Sequence, residues 1–224
     1  MKRNRFLIAL LVCFLCAGMM TAVPVSAAAK TYKNKLVKVK IKGSSPKDYN
    51  YYFYKKNGKK LKKAWKTIKV KGKKQKFYFG KNGKAYKAKK VKSFKYNVAT
   101  KKIKSVTYGF GVDAYLLKGL YVGPGFNNTG KIYYFDQKGV LDQDVSSEIT
   151  NAAKTESDSA ELRKLLDRYA GKPKKVYTTS VCTLVDGVEP KYTTVEQYGT
   201  FEVQYYMMPD DRELVCAMVG ALKF

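Results

Sequence analysis

Phe77-Tyr78-Phe79-Gly80-Lys81-Asn82-Gly83-Lys84 decides how this chain folds: three aromatic residues at strand spacing, then an Asn-Gly turn set among lysines. The same figure stands at Tyr51-Tyr52-Phe53 with Gly58, and again at Tyr133-Tyr134-Phe135 with Gly139. Between the last two copies, Tyr108-Gly109-Phe110 followed by Tyr115 and Tyr121 reads as a degenerate copy. Aromatic residues suit a pleated, half-buried strand, and Lys56-Asn57-Gly58 and Lys81-Asn82-Gly83 carry a tight-turn signal. Each unit therefore predicts a β-hairpin. Units recurring at a period of about 20–50 residues bury their faces only by stacking on their neighbours.

Charge divides the chain as sharply as the repeats do. The 224 residues hold 45 Lys+Arg, 17 Asp+Glu and no His, for a formal charge of +28. Residues 30–104 alone contain 29 Lys, no Arg and one acid, Asp48, while residues 105–224 sum to −3. The lack of histidine removes the commonest general base and zinc ligand, and with them Ser-His and Cys-His nucleophiles. No catalytic residue, metal ligand or cofactor is expected. A lysine array suits adhesion to a polyanion, because each ammonium acts as a point charge that displaces counterions. The candidate contacts are Lys62, Lys63, Lys73, Lys74, Lys89 and Lys90, with Tyr52, Trp65, Tyr78, Tyr86 and Tyr134 available to stack on sugars. Val37-Lys38-Val39-Lys40-Ile41 also shows how an exposed strand stays soluble, so solubility alone is a second reading of the lysines.

At the N-terminus, Lys2, Arg3 and Arg5 precede an apolar run from Phe6 to Met20, and Pro24 precedes Val25-Ser26-Ala27-Ala28-Ala29. This order predicts an export signal over residues 1–29. The apolar run is shorter than the ~20 residues of a membrane span. Export argues against a physiological nucleic-acid partner, which lysines interleaved with aromatics would otherwise suggest. A membrane is expected as a partner only through surface electrostatics. The remaining cysteines, Cys182 and Cys216, are a candidate disulfide in an oxidising compartment, and free core cysteines are the other reading.

From Ser146 the lysine density collapses. Ser146 or Ser147 caps a predicted helix that runs to about Tyr169, where Gly171 and Pro173 end it. Strand candidates follow at 175–185, 192–207 and 213–222, predicting a small α+β domain over residues 146–224. The expected fold class is mainly β: an array of β-hairpin repeats over residues 30–145, then a helix with an antiparallel meander. Asp142 with Asp144, and Asp210 and Asp211 with Glu213, read as turn chemistry before they read as a calcium loop or a hydrolase pair.

Tyr133-Tyr134-Phe135-Asp136-Gln137-Lys138-Gly139, and the unit from Trp65 to Lys84, resemble the cell-wall-binding repeats of Gram-positive surface proteins, which include choline-binding and glucan-binding modules. The resemblance covers about residues 49–145. It implies a secreted, surface-located binding protein whose polyanions are teichoic acid or peptidoglycan carboxylates. The family closes each repeat with Gly-Trp, whereas here Ala64-Trp65 keeps the Trp, and Ala88-Lys89 and Asp144-Val145 do not. That departure, inside so basic a segment, weighs against a choline cage. The C-terminal order of helix, Gly-Lys-Pro and strands is similar to β-lactamase-inhibitor-like helix-plus-sheet domains, which implies a protein partner for residues 146–224. A protein-interaction or inhibitor module is thus the alternative function, and a wall-glycan hydrolase the third.

Overall fold

The computed structural model describes residues 31–125, 130–180 and 184–220, and in it the aromatic triplets lie on antiparallel strands. The expected export signal lies outside these residues. So does Cys182, and with it the question of its pairing with Cys216. Strand β1 (Lys35–Lys40) pairs with β2 (Tyr49–Tyr54), and β3 (Ala64–Val70) with β4 (Lys73–Phe79). Strand β5 (Ala99–Ile103) pairs with β6 (Val106–Phe110), and β7 (Gly119–Val122) with β8 (Ile132–Phe135). A short β9 (Leu141–Asp142) extends the last hairpin. Strand alternation sorts the first two triplets: Tyr51, Phe53, Phe77 and Phe79 are buried, whereas Tyr52 and Tyr78 remain half-exposed. Burying one such Phe contributes about 2–3 kcal/mol, so these residues with Ala85 and Ala114 anchor the array.

The Asn-Gly pairs do not close the hairpins. Lys71 and Gly72, with φ of 47° and 80°, form the two-residue loop between β3 and β4. Asn57-Gly58 and Asn82-Gly83 instead turn the chain back alongside the second strand. Gly58 N–H donates to Lys55 O at 3.0 Å, Gly83 N–H to Gly80 O at 3.0 Å, and each Asn Oδ1 accepts from the lysine amide two residues on. The same turn recurs at 111–115 and 136–140, where Ala114 and Gly139 take the left-handed position with φ of 65° and 81°. Gly58, Gly83, Ala114 and Gly139 stand 25, 31 and 25 residues apart. The degenerate copy is therefore a full structural repeat. Each return arm then bonds to the preceding hairpin: Ala85 N–H to Tyr51 O at 2.9 Å, Leu116 N–H to Lys76 O at 2.9 Å, and Val140 bridged to Tyr108.

The C-terminal part has two helices where the sequence predicts one. Helix α1 (Gln143–Ala152) is capped by Asp142, and α2 (Ser159–Tyr169) by Asp158, whose carboxylate accepts from Ala160 N–H. Ser146 is buried within α1, its hydroxyl accepting from Tyr134 N–H at 2.9 Å. The break between the helices bonds to the sheet, since Glu156 N–H donates to Val215 O and Val215 N–H to Ser157 O. Strands β10 (Lys175–Thr179), β11 (Tyr192–Gln197), β12 (Phe201–Met207) and β13 (Glu213–Gly220) form an antiparallel meander in that order. The molecule is thus mainly β, with hairpin repeats followed by a small α+β part. One core draws on both sides of residue 145, joining Leu120, Val122 and Ile132 to Ile149, Leu162 and Val203. No helix among the described residues is long and apolar enough to cross a membrane.

Candidate functional site

Trp65 on β3 stands directly opposite Tyr78 on β4, and their ring centroids are 5.1 Å apart. Tyr86, on the return arm, stacks on Tyr78 at 5.8 Å. Repeat stacking then brings in the third hairpin: Trp65 meets Tyr108 edge-on at 5.0 Å and stacks on Phe110 at 5.9 Å. Three of the aromatic candidates thus share one cluster, with Tyr108 and Phe110 added from the degenerate repeat. The chain's own cations sit on it. Lys76 Nζ lies 4.7 Å from the Trp65 centroid and Lys101 Nζ 5.2 Å from that of Tyr86. Each such contact contributes about 0.5–1 kcal/mol at an exposed site, and an incoming cation would have to displace it.

The other two aromatic candidates stand apart. Tyr52 lies beneath Lys60, whose Nζ is 4.3 Å from the ring centroid. Tyr134 packs edge-on against Tyr169 at 4.9 Å, on the core of the C-terminal part, and burial there raises its phenol above the ordinary range.

Among the lysine candidates, Lys62, Lys63, Lys73, Lys74 and Lys89 are exposed, and Lys90 is half-buried. The one acid of residues 30–104 turns inward: Asp48 is buried and pairs with Lys87 Nζ at 2.7 Å. Burial works to raise its carboxyl. The Lys87 hydrogen bond and the backbone amides of Tyr49 and Lys90 overcome that and hold it below the usual carboxylate range.

A groove of about 500 Å³ opens where the second hairpin meets the third and fourth turns. Lys74 and Lys76 reach it from β4, Lys118 from the segment before β7, and Lys138 from the fourth turn. Gln75 and Gln137 add amides between them. Of these lysines only Lys74 is among the sequence candidates: Lys118 and Lys138 belong to the near-neutral half of the chain, and Lys76 is one unmarked lysine of the basic stretch. Lys90 lines a different groove of about 390 Å³, together with Lys47, Lys95 and Asp113.

Several carboxylates near and beyond the end of the array have structural partners. Asp142 caps α1, Asp210 holds Arg212 and Asp211 holds Lys191. Glu213 accepts from the Arg163 guanidinium and from Ser159 Oγ, while Glu196 accepts from Arg163 Nε at 3.0 Å and from Tyr198 OH at 2.9 Å. The guanidinium lies 4.1 Å from the Tyr205 ring centroid. This network ties α2 to three strands of the meander, and nothing in the spacing of its residues announces it.

No family model matches this chain, and no curated protein matches it significantly. Among solved structures, the modular Cpl-1 endolysin complexed with a peptidoglycan analogue aligns at 13% identity and a TM-score of 0.32, over 81% of this chain and 38% of its own. The modular autolysin LytC from Streptococcus pneumoniae, in complex with a synthetic peptidoglycan ligand, aligns at 14% identity and a TM-score of 0.20, over 85% and 34%. Alternansucrase in complex with isomaltotriose aligns at 12% identity and a TM-score of 0.22, over 79% and 9%. The chain spans well under half the length of each. Likenesses at these TM-scores do not establish a common fold.

Proposed function

We propose that this chain is a secreted, non-enzymatic binding protein held at an anionic cell envelope by the lysine face of its hairpin array. The observation that carries the reading is the segregation of charge. Residues 30–104 hold 29 lysines, and their one acid, Asp48, is buried against Lys87. The surface of that segment therefore presents ammonium groups with no carboxylate of its own to neutralise them. Such a face gains affinity by releasing the counterions condensed on a polyanion, and its contacts with teichoic acid or peptidoglycan carboxylates add along the polymer. The aromatic cluster at Trp65, Tyr78 and Tyr86 ties the second hairpin to the third and gives the face rigidity.

Sedimentation with isolated Gram-positive walls tests this reading. The chain pellets with walls at ~0.1 M salt, leaves them by ~1 M, and releases no soluble glycan. Persistence on the walls at high salt contradicts the electrostatic attachment, and steady glycan release contradicts the non-enzymatic role.

A further inference from the structure

We infer that the groove lined by Lys74, Lys76, Lys118 and Lys138 is a seat for a polyol-phosphate chain, one in which phosphodiester monoanions alternate with hydroxyl-bearing spacers. The inference rests on the envelope-binding reading and narrows it from a diffuse coat to one place and one chemistry. Four lysines from three separate stretches of sequence line a concavity of about 500 Å³. No carboxylate is found among its described lining residues. Like charges gathered along one groove repel, and an anion seated among them relieves that repulsion. The construction of the repeats fixes the groove. Leu116, whose side chain forms part of the wall, is tied to the second hairpin through its amide and Lys76 O at 2.9 Å. Gly139, beside Lys138, approaches Leu116 so closely that an added Cβ would lie 2.6 Å from Leu116 Cγ.

The lining matches each part of such a polymer. Lysine is a point charge and suits a monoanion approached from several directions, whereas paired recognition of a dianion favours the guanidinium fork. Gln75, Gln137 and Thr67 supply neutral donors and acceptors for spacer hydroxyls. Tyr121 completes the wall. A polycarboxylate offers acceptors to the lysines and amides but no spacer hydroxyls. Single-stranded nucleic acid would be read chiefly by aromatic stacking, and the ring cluster at Trp65 is already covered by Lys76 and Lys101.

The test uses the full chain and fluorescent poly(glycerol phosphate), with polyglutamate and a single-stranded DNA homopolymer of equal charge as parallel probes. Each phosphate contact to a flexible strand contributes about 0.7 to the slope of log K against log salt. The variant K74Q/K76Q/K118Q/K138Q is expected to lose about 3 in slope and about tenfold or more in affinity at low salt. The control K56Q/K59Q/K81Q/K102Q removes the same charge from other exposed positions and is expected to lose much less. Lysine acylation footprinting of the wild-type chain needs no variant: the polymer should protect the four groove lysines over the control four. Equal losses in the two variants, or equal protection of the two sets, overturn the seat while leaving attachment to walls intact. Binding to polyglutamate or DNA as tight as to poly(glycerol phosphate) overturns the assigned chemistry. Failure of the unaltered chain to bind walls instead removes the envelope reading itself.

Discussion

Gly109 lies so close to the Phe135 ring that a Cβ on it would come within 2.2 Å of Phe135 Cζ. The third hairpin therefore carries no side chain where the others carry Phe53, Tyr78 and Tyr134, and the ring of the next repeat takes that space. Restoring the repeat pattern should harm the fold. Gly109→Tyr is expected to destabilise by about 3 kcal/mol through overpacking. Chemical denaturation checks this, and a variant as stable as the parent contradicts the packing.

Gly139 combines a left-handed backbone, φ 81°, with the close approach of Leu116. Gly139→Ala adds both strain and a clash, at an expected cost of about 2–4 kcal/mol. Gly72, at φ 80°, has no atom within 4 Å of an added Cβ, so Gly72→Ala suffers only the backbone term, about 1 kcal/mol. The difference in midpoint between the two variants measures the repeat contact alone.

Acid should loosen the array. The folded Asp48 carboxyl titrates below its ordinary value of 3.8, so as pH falls the unfolded chain takes up the proton first. The pair's contribution is complete above about pH 4 and is lost as pH drops through the folded value. Asp48→Asn is expected to flatten this part of the stability profile. At neutral pH it should cost about 3 kcal/mol, since Lys87 is left buried without its partner. Parallel denaturation series from about pH 6 to about pH 2 decide it, and identical profiles contradict the pairing.

In the C-terminal part, Arg163 is held by Glu196 and Glu213. Glu213→Gln weakens the hydrogen bonds to Arg163 and Ser159 and is expected to cost about 2–3 kcal/mol. Amide exchange should rise first in α2 and β13, the elements that the pair joins. Exchange unchanged in both elements would show that the network does not hold them.

Much of this architecture was legible in the residues. The triplets announced their strands because alternation at Tyr51, Tyr52 and Phe53 is a local property, and Asn-Gly announced a turn for the same reason. What the turn joined was not local: Asn57-Gly58 folds a return arm, and the β3–β4 hairpin closes at Lys71-Gly72 instead. The third repeat was only half visible, since Ala114 carries a left-handed backbone without the glycine that would advertise it. The helix break near Asp158 was hidden because Ala152 and Ala153 favour helix, and bonding of Glu156 and Ser157 to β13 overrides that preference. The clustering of Trp65, Tyr78 and Tyr86 follows from the repeats that carry them. Lys118 and Lys138 join Lys74 and Lys76 at one groove without a signal in the sequence, because charge counted along the chain stops at residue 104 and stacking does not.

The central claim is that charge on the array holds this chain to an anionic polymer, and one titration addresses it directly. Binding of the full chain to isolated walls is measured across a salt series, with walls stripped of teichoic acid alongside. The account predicts a linear fall of log K with log salt, steeper than about −3, and much weaker binding to the stripped walls throughout. A slope near zero would contradict it, whereas equal binding to both kinds of wall would move the attachment from teichoic acid to peptidoglycan carboxylates and overturn the phosphate seat.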